Sequence, residues 1–241
     1  TATTEIYTLS LTTLFRSVDD VRRVLDEIRA SMPPLRGIVQ SAGVLEDRAL
    51  LRQDWDSFMR VLAPKVDGSW HLHCLTQDDD LDFFVLYSSV AALMGPAGQG
   101  AHAAANAFLD ALAHHRRSEG RPALSIGWGV WTEIGSAAAR GVAEREAEKG
   151  VGAITPAEGL RALEVVMRCD APHIAVMPMD WRRFLGDRAP SWLSELRDDS
   201  ARTDEVPRDG ATGGTSRGAV DAAVAPQAAE RRAAEQDGGL A

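Results

Sequence analysis

Cysteine is scarce: Cys74 and Cys169 are the only two in 241 residues. They could close at most one disulfide, so a disulfide-stapled scaffold is excluded and a reducing, cytoplasmic setting is expected. Positive charge is also short, with 26 Lys and Arg against 35 Asp and Glu and a formal net charge of −9. No basic stripe exists to displace counterions from phosphates, which excludes nucleic acid as the main partner. No apolar run approaches the roughly 20 residues that a membrane helix needs. No basic-then-apolar signal segment opens the chain either, so no membrane role is expected. The first residue is Thr1 rather than Met, which suggests excision from a longer polypeptide. What remains is ordinary for a globular domain: 45% hydrophobic and 25% charged residues.

The composition changes at Asp198. From there to the end the chain has no aromatic residue, a single leucine (Leu240) and runs of Gly, Ala, Thr and Ser. Such a segment lacks the apolar anchors that offset the entropy of ordering. We therefore expect one structured domain over residues 1–197 and a flexible linker over 198–241.

Within the domain, apolar runs alternate with helical patterns. Residues 35–43, 82–89 and 123–129 read as buried strands, with a weaker fourth at 173–178. Residues 18–31, 55–76, 98–117 and 156–168 read as helices. Thr155-Pro156-Ala157-Glu158 is a helix start with Thr as cap and Pro at the first position. Near-continuous apolar strands separated by helices imply an α/β fold, a parallel sheet covered on both faces. Ligands in such sheets sit beyond the carboxyl ends of the strands. That rule singles out Ser41, Ala42 and Gly43 after the first strand, Ser88 and Ser89 after the second, and Trp128 and Gly129 after the third.

Four residues form the candidate chemical set. His102 and Asn106 are four apart in a helical stretch and project from one face. Ser89 ends a strand, and Lys65 is expected in mid-helix on the segment before it. The segments around them, Leu-Arg-Gly-Ile-Val-Gln-Ser-Ala-Gly-Val-Leu-Glu-Asp (35–47), Leu-Ala-Pro-Lys-Val-Asp-Gly-Ser-Trp (62–70), Leu-Tyr-Ser-Ser (86–89) and Gly-Gln-Gly-Ala-His-Ala-Ala-Ala-Asn-Ala-Phe-Leu-Asp (98–110), resemble the ketoreductase domain of modular polyketide synthases. That domain is a member of the short-chain dehydrogenase/reductase superfamily, and the resemblance runs from about Val18 to Leu185.

The resemblance implies a Rossmann-like fold and reduction of a β-ketoacyl thioester by NADPH, with the substrate tethered through phosphopantetheine to an acyl carrier protein. Carried over by position, Lys65 matches the lysine that holds the coenzyme ribose and lowers the acid's pKa. Ser89 matches the serine that binds the substrate carbonyl, and Asn106 the asparagine that supports a proton relay. His102 stands where the family has its catalytic tyrosine. A phenol beside an ammonium can be tuned down until it donates a proton near neutrality. As imidazolium, His102 is acidic enough, but the Lys65 cation disfavours that charge. As neutral imidazole, it donates a hydrogen bond yet is a very weak acid.

Two further comparisons follow from the resemblance. Leu45-Glu46-Asp47 resembles the Leu-Asp-Asp loop of ketoreductases with B-type alcohol configuration. Met94, eight residues before His102, stands where the A-type signature places tryptophan. The family's Gly-rich phosphate turn has no match: Gly95-Pro96-Ala97-Gly98-Gln99-Gly100 has the wrong spacing and reads as a loop entering the active-site helix. Residues 5–12 read as a vestige of an early strand. The sheet is therefore expected to be incomplete on its N-terminal side, with the 35–41 strand at an unpaired edge. An upstream ketoreductase half or other synthase domains would complete it. The competing expectation is a non-catalytic, ketoreductase-like scaffold within a megasynthase. His71, His73 and Cys74 lack the spacing of a metal site, and no metal is expected. His114, His115, Arg116 and Arg117 complement the dipole at a helix end. Residues 132–152 occupy the place of the family's mobile lid.

Overall fold

The computed structural model describes residues 17–133 and 142–186. The expected strand at 5–12, part of the lid segment and the 198–241 linker lie outside the described residues.

Four of the helices begin where the sequence supplies a side-chain cap. Ser17 accepts from Asp19 N at 3.3 Å at the start of α1, Val18–Ser31, and Asp19 and Asp20 fill its first turn. Asp54 Oδ1 accepts from Ser57 N at 2.7 Å to open α2, Trp55–Leu62. The single helix expected over 55–76 is instead broken. Pro64 has no N–H to continue the ladder, and a turn at residues 63–65 separates α2 from α3, Val66–Leu75. Lys65 therefore stands just before the start of α3 and does not lie in mid-helix. A short α4, Ala91–Met94, closes at Gly95 in the left-handed conformation, and α5 spans Gly100–Ser118. After α6, Val142–Ala147, comes α7, Pro156–Val166, which has the full capping box of Thr155 and Glu158. The helix α8, Trp181–Leu185, follows Asp180.

The strands β1 (Gly37–Gln40), β2 (Phe83–Ser89), β3 (Leu124–Trp128) and β6 (His173–Val176) form one parallel sheet in that order. A second small parallel pair joins β4, Val130–Trp131, to β5, Ala153–Ile154. Strand β2 shows why helices lie on both faces. Phe84 and Leu86 enter one apolar cluster with Val21 and Leu25 of α1, Leu72 of α3 and Leu109 of α5. Val85 enters the other, with Ile126 and Trp128 of β3 and Val166 of α7. Trp131 lies so close over α7 that a Cβ on Gly159 would meet its ring at 2.1 Å; only glycine fits there. Among the described residues β1 pairs with β2 alone, so it is one of the sheet's two edge strands, and Val39 on it is 54% exposed. The architecture is the expected Rossmann-like α/β fold.

Candidate active site

The carboxyl ends of β1 and β2 converge on the break between α2 and α3. Gln40, 3% exposed, donates from Nε2 to Pro64 O at 2.8 Å and to Ala42 O at 3.3 Å. This amide ties the loop after β1 to the turn that carries Lys65. A polar residue ending an apolar strand was the signal for Gln40, and the sequence reading passed over it. Ala42 is buried, whereas Ser41 and Gly43 are exposed. A Cβ on Gly43 would stand 3.1 Å from Lys65 Cε, so bare backbone flanks the lysine stem.

Lys65 is 6% exposed and donates from Nζ to Tyr87 O at 2.7 Å, which brings it under the end of β2. Burial pulls its pKa down to about 8, against the opposing attraction of Asp110. Asp110 was not anticipated, although it lies one turn beyond Asn106. It accepts from Ser125 Oγ at 2.6 Å and stands 3.6 Å from His173 Nε2.

The α5 side of the site begins with His102. Burial first, and the Lys65 cation second, lower its pKa to about 4, with Asp47 opposing. Asn106 is fully buried, and its amide nitrogen lies 2.8 Å from His102 O and 3.2 Å from His102 Nε2. Ser88 Oγ donates to Asn106 O at 3.3 Å, which turns Ser88 inward, toward α5. Ser89 Oγ accepts from Ala91 N at 3.2 Å, and that bond does not use its hydroxyl proton. His102 Nδ1 and Asn106 Oδ1 are buried without hydrogen-bond partners among the described residues. Buried polar atoms of that kind are rare and mark places where a partner belongs.

Lys65, His102, Asn106 and the Ser88–Ser89 end of β2 are thus linked by bonds and by charge around one strand end. The loop after β1 borders them: Arg48 N donates to Gly98 O at 2.9 Å just before α5, and Gln99 reaches Asp47 at 3.5 Å. Glu46 is held by Arg48 at 2.7 Å and Arg60 at 3.2 Å, and Met94 ends α4 half-buried. Trp128, by contrast, is 5% exposed and sits in the apolar cluster against Tyr87 and Trp131. Gly129 lies against Met177 at the strand's exit.

A family model described as "KR domain" matches residues 15–133, the stretch that holds Lys65, Ser89, His102 and Asn106. The chain belongs to the KR-domain family. KR domains are short-chain dehydrogenase/reductases, and relatives of this one are polyketide synthases. It is 39% identical over 186 residues to mycoketide-CoA synthase of Mycobacterium tuberculosis, covering 73% of this chain and 4% of that protein. It is 44% identical over 163 residues to compactin diketide synthase of Penicillium citrinum, covering 67% of this chain and 6% of that one. An A-type ketoreductase structure from a modular polyketide synthase superposes with a TM-score of 0.69 at 38% identity, covering 75% of this chain and 40% of that one. A C2-type ketoreductase reaches 0.64 at 30% identity, over 70% of this chain and 36% of that one, so overall shape does not select a stereochemical type. The KR chain therefore spans under a tenth of these curated relatives and about two-fifths of these solved structures.

One more cluster has ligand-like chemistry. His73, His115 and Glu119 bring three potential metal-binding atoms within 4.8 Å of one another. The Arg116 guanidinium already lies 3.2 Å from His73 Nδ1, and Arg121 lies 3.5 Å from Glu119. Two arginines supply the positive charge there, which accounts for the cluster without a metal.

Proposed function

We propose that this chain is the carbonyl-facing part of a polyketide synthase ketoreductase in which His102 suppresses the reductive step at neutral pH. The observation that carries this reading is a half-buried imidazole, with its pKa lowered to about 4, where the family resemblance implies a tyrosine, beside a lysine, a serine and an asparagine.

The residues present fit the nicotinamide-ribose half of NADPH. Ser41 and Gly43 are exposed and leave room beside the buried Lys65 amine, where a Cβ at Gly43 would crowd the lysine stem. No strand-to-helix Gly-rich turn for the pyrophosphate occurs among the described residues. When bound, NADPH supplies the hydride. Ser89 directs its free O–H at the substrate carbonyl, and Lys65 holds positive charge beneath the strand end. His102, neutral above about pH 4, has no readily released proton for the developing alkoxide. Positioned acids contribute about 10²–10⁴ in rate, and this contribution is withheld. Leu45, Glu46, Asp47 and Met94 border the same entrance and favour B-type configuration in any alcohol formed. The substrate in this reading is a β-ketoacyl thioester on an acyl carrier protein, supplied by neighbouring synthase domains.

The test is NADPH oxidation with a model β-ketoacyl thioester, measured on the whole polypeptide that carries these residues. His102→Tyr is expected to raise the neutral-pH rate by about 10² or more. Equal rates for the two forms at neutral pH would overturn the suppression. A wild-type rate that rises steeply as pH falls toward 4 would show imidazolium serving as the acid.

A further inference from the structure

Asn106 bears on the histidine as well as on the substrate. Its amide nitrogen faces His102 O at 2.8 Å, and that carbonyl fixes the orientation of the amide. An amide oxygen turned there would set two acceptors against each other, so the NH2 group must face it. One amide proton goes to the carbonyl, and the other points at His102 Nε2, 3.2 Å away. Nε2 must then accept. A neutral imidazole has a single N–H, so its proton sits on Nδ1. The other charged groups acting on the ring are Lys65, from the turn before α3, and Asp47, from the loop after β1. Lys65 opposes a second proton on the ring.

We infer that Asn106 is a positioning residue that locks His102 in the neutral Nδ1–H form, with Nε2 held as a proton-free acceptor. The consequence concerns the site proposed above and deepens that reading. At the position matching the family's phenol, the outermost nitrogen presents a lone pair already engaged by Asn106. The only ring proton is held on Nδ1, which is buried and has no acceptor among the described residues. Proton donation from Nε2 first requires release of Asn106 and a change of tautomer. Asn106, which in the family resemblance supports reduction, here works against it.

The full chain labelled with ¹⁵N-histidine, studied by NMR at neutral pH, tests the lock. The histidine whose signals vanish in His102→Gln is expected to show a protonated, pyrrole-type Nδ1 and an unprotonated, pyridine-type Nε2. Asn106→Asp replaces the donor by an acceptor and is expected to move the proton to Nε2. Asn106→Ala, which removes the donor with no change of charge, is expected to leave a mixture. A wild-type spectrum with the proton on Nε2 overturns the inference without any variant. A ring unaffected by either substitution assigns the lock to something other than Asn106. Turnover does not enter the measurement, so failure of the tautomer assignment and failure of the ketoreductase reading are distinguishable.

Discussion

Two cation–histidine pairs lie near opposite ends of α5, and they are built to different standards. Near its C-terminal end, Arg116 is 1% exposed and donates from Nε to Pro122 O at 3.2 Å. Its guanidinium lies 3.9 Å from the centre of the Phe84 ring and 3.2 Å from His73 Nδ1. Near the N-terminal end, Lys65 has Tyr87 O and acts on His102 through charge. Burial is the leading cause of the shift in all four groups, with Arg116 lowered to about 10 and Lys65 to about 8. The difference is in what is left over. Neither His73 nor Arg116 has an orphaned nitrogen, whereas the Lys65 end leaves His102 Nδ1 and Asn106 Oδ1 unbonded among the described residues. A satisfied pair holds structure together; an unsatisfied one marks a place for a ligand.

The comparison breaks first if Arg116 is dispensable. Arg116→Ala leaves a cavity against Phe84 and strips Pro122 O and His73 Nδ1 of their partner. The expected loss is about 3 kcal/mol or more, read as a lower urea midpoint. A loss below about 1 kcal/mol would mean that the guanidinium is not structural.

The His102 end is expected to appear in the acid limb of stability. The folded pKa of about 4 lies below the ordinary 6.5, so between those values the unfolded chain binds the extra proton. Stability therefore falls as pH drops from about 6.5 toward 4, by on the order of 3 kcal/mol when complete. His102→Gln should flatten that limb. An unchanged limb would mean that the imidazole is not buried as a neutral ring. The burial of His73 acts in the same direction, so the part of the slope that survives in His102→Gln belongs to other groups.

This asymmetry shows what was legible in the sequence. The strand runs and the capped start of α7 were readable because local chemistry determines them: apolar continuity for a two-sided parallel sheet, Thr155 with Glu158 for the cap. That Lys65, His102 and Asn106 gather at the Ser88–Ser89 end of β2 was readable from motif order and from four-residue helical spacing. The break at Pro64 was overridden by the apolar periodicity on either side, although proline named the place. Asp110 and the Arg116–His73 pair were not legible, because each depends on residues from distant elements meeting: Asp110 with Ser125, Arg116 with Phe84. Trp128 shows how packing bears on such a position. Its place after a strand end pointed to the site, but burial against Tyr87 and Trp131 was the stronger force.

Lys65→Met gives the smallest effect and tests the comparison most sharply. Arg116 holds contacts that the fold needs, whereas Lys65 is a buried amine with one carbonyl partner. A methionine has similar length, packs against Gly43 and the strand end without a charge to desolvate, and loses only the bond to Tyr87 O. The two terms oppose, so the net change at neutral pH is expected within about 1 kcal/mol of zero. The pH dependence separates them. Because the folded amine titrates near 8 and the unfolded one near 10.5, the unfolded chain binds more protons between those values. Raising pH through that window therefore stabilises the native state. The wild-type denaturation midpoint should climb from pH 8 to 10, and the Lys65→Met midpoint should stay level. If the variant instead loses as much stability as Arg116→Ala, both cations are structural and the contrast between the two ends of α5 fails.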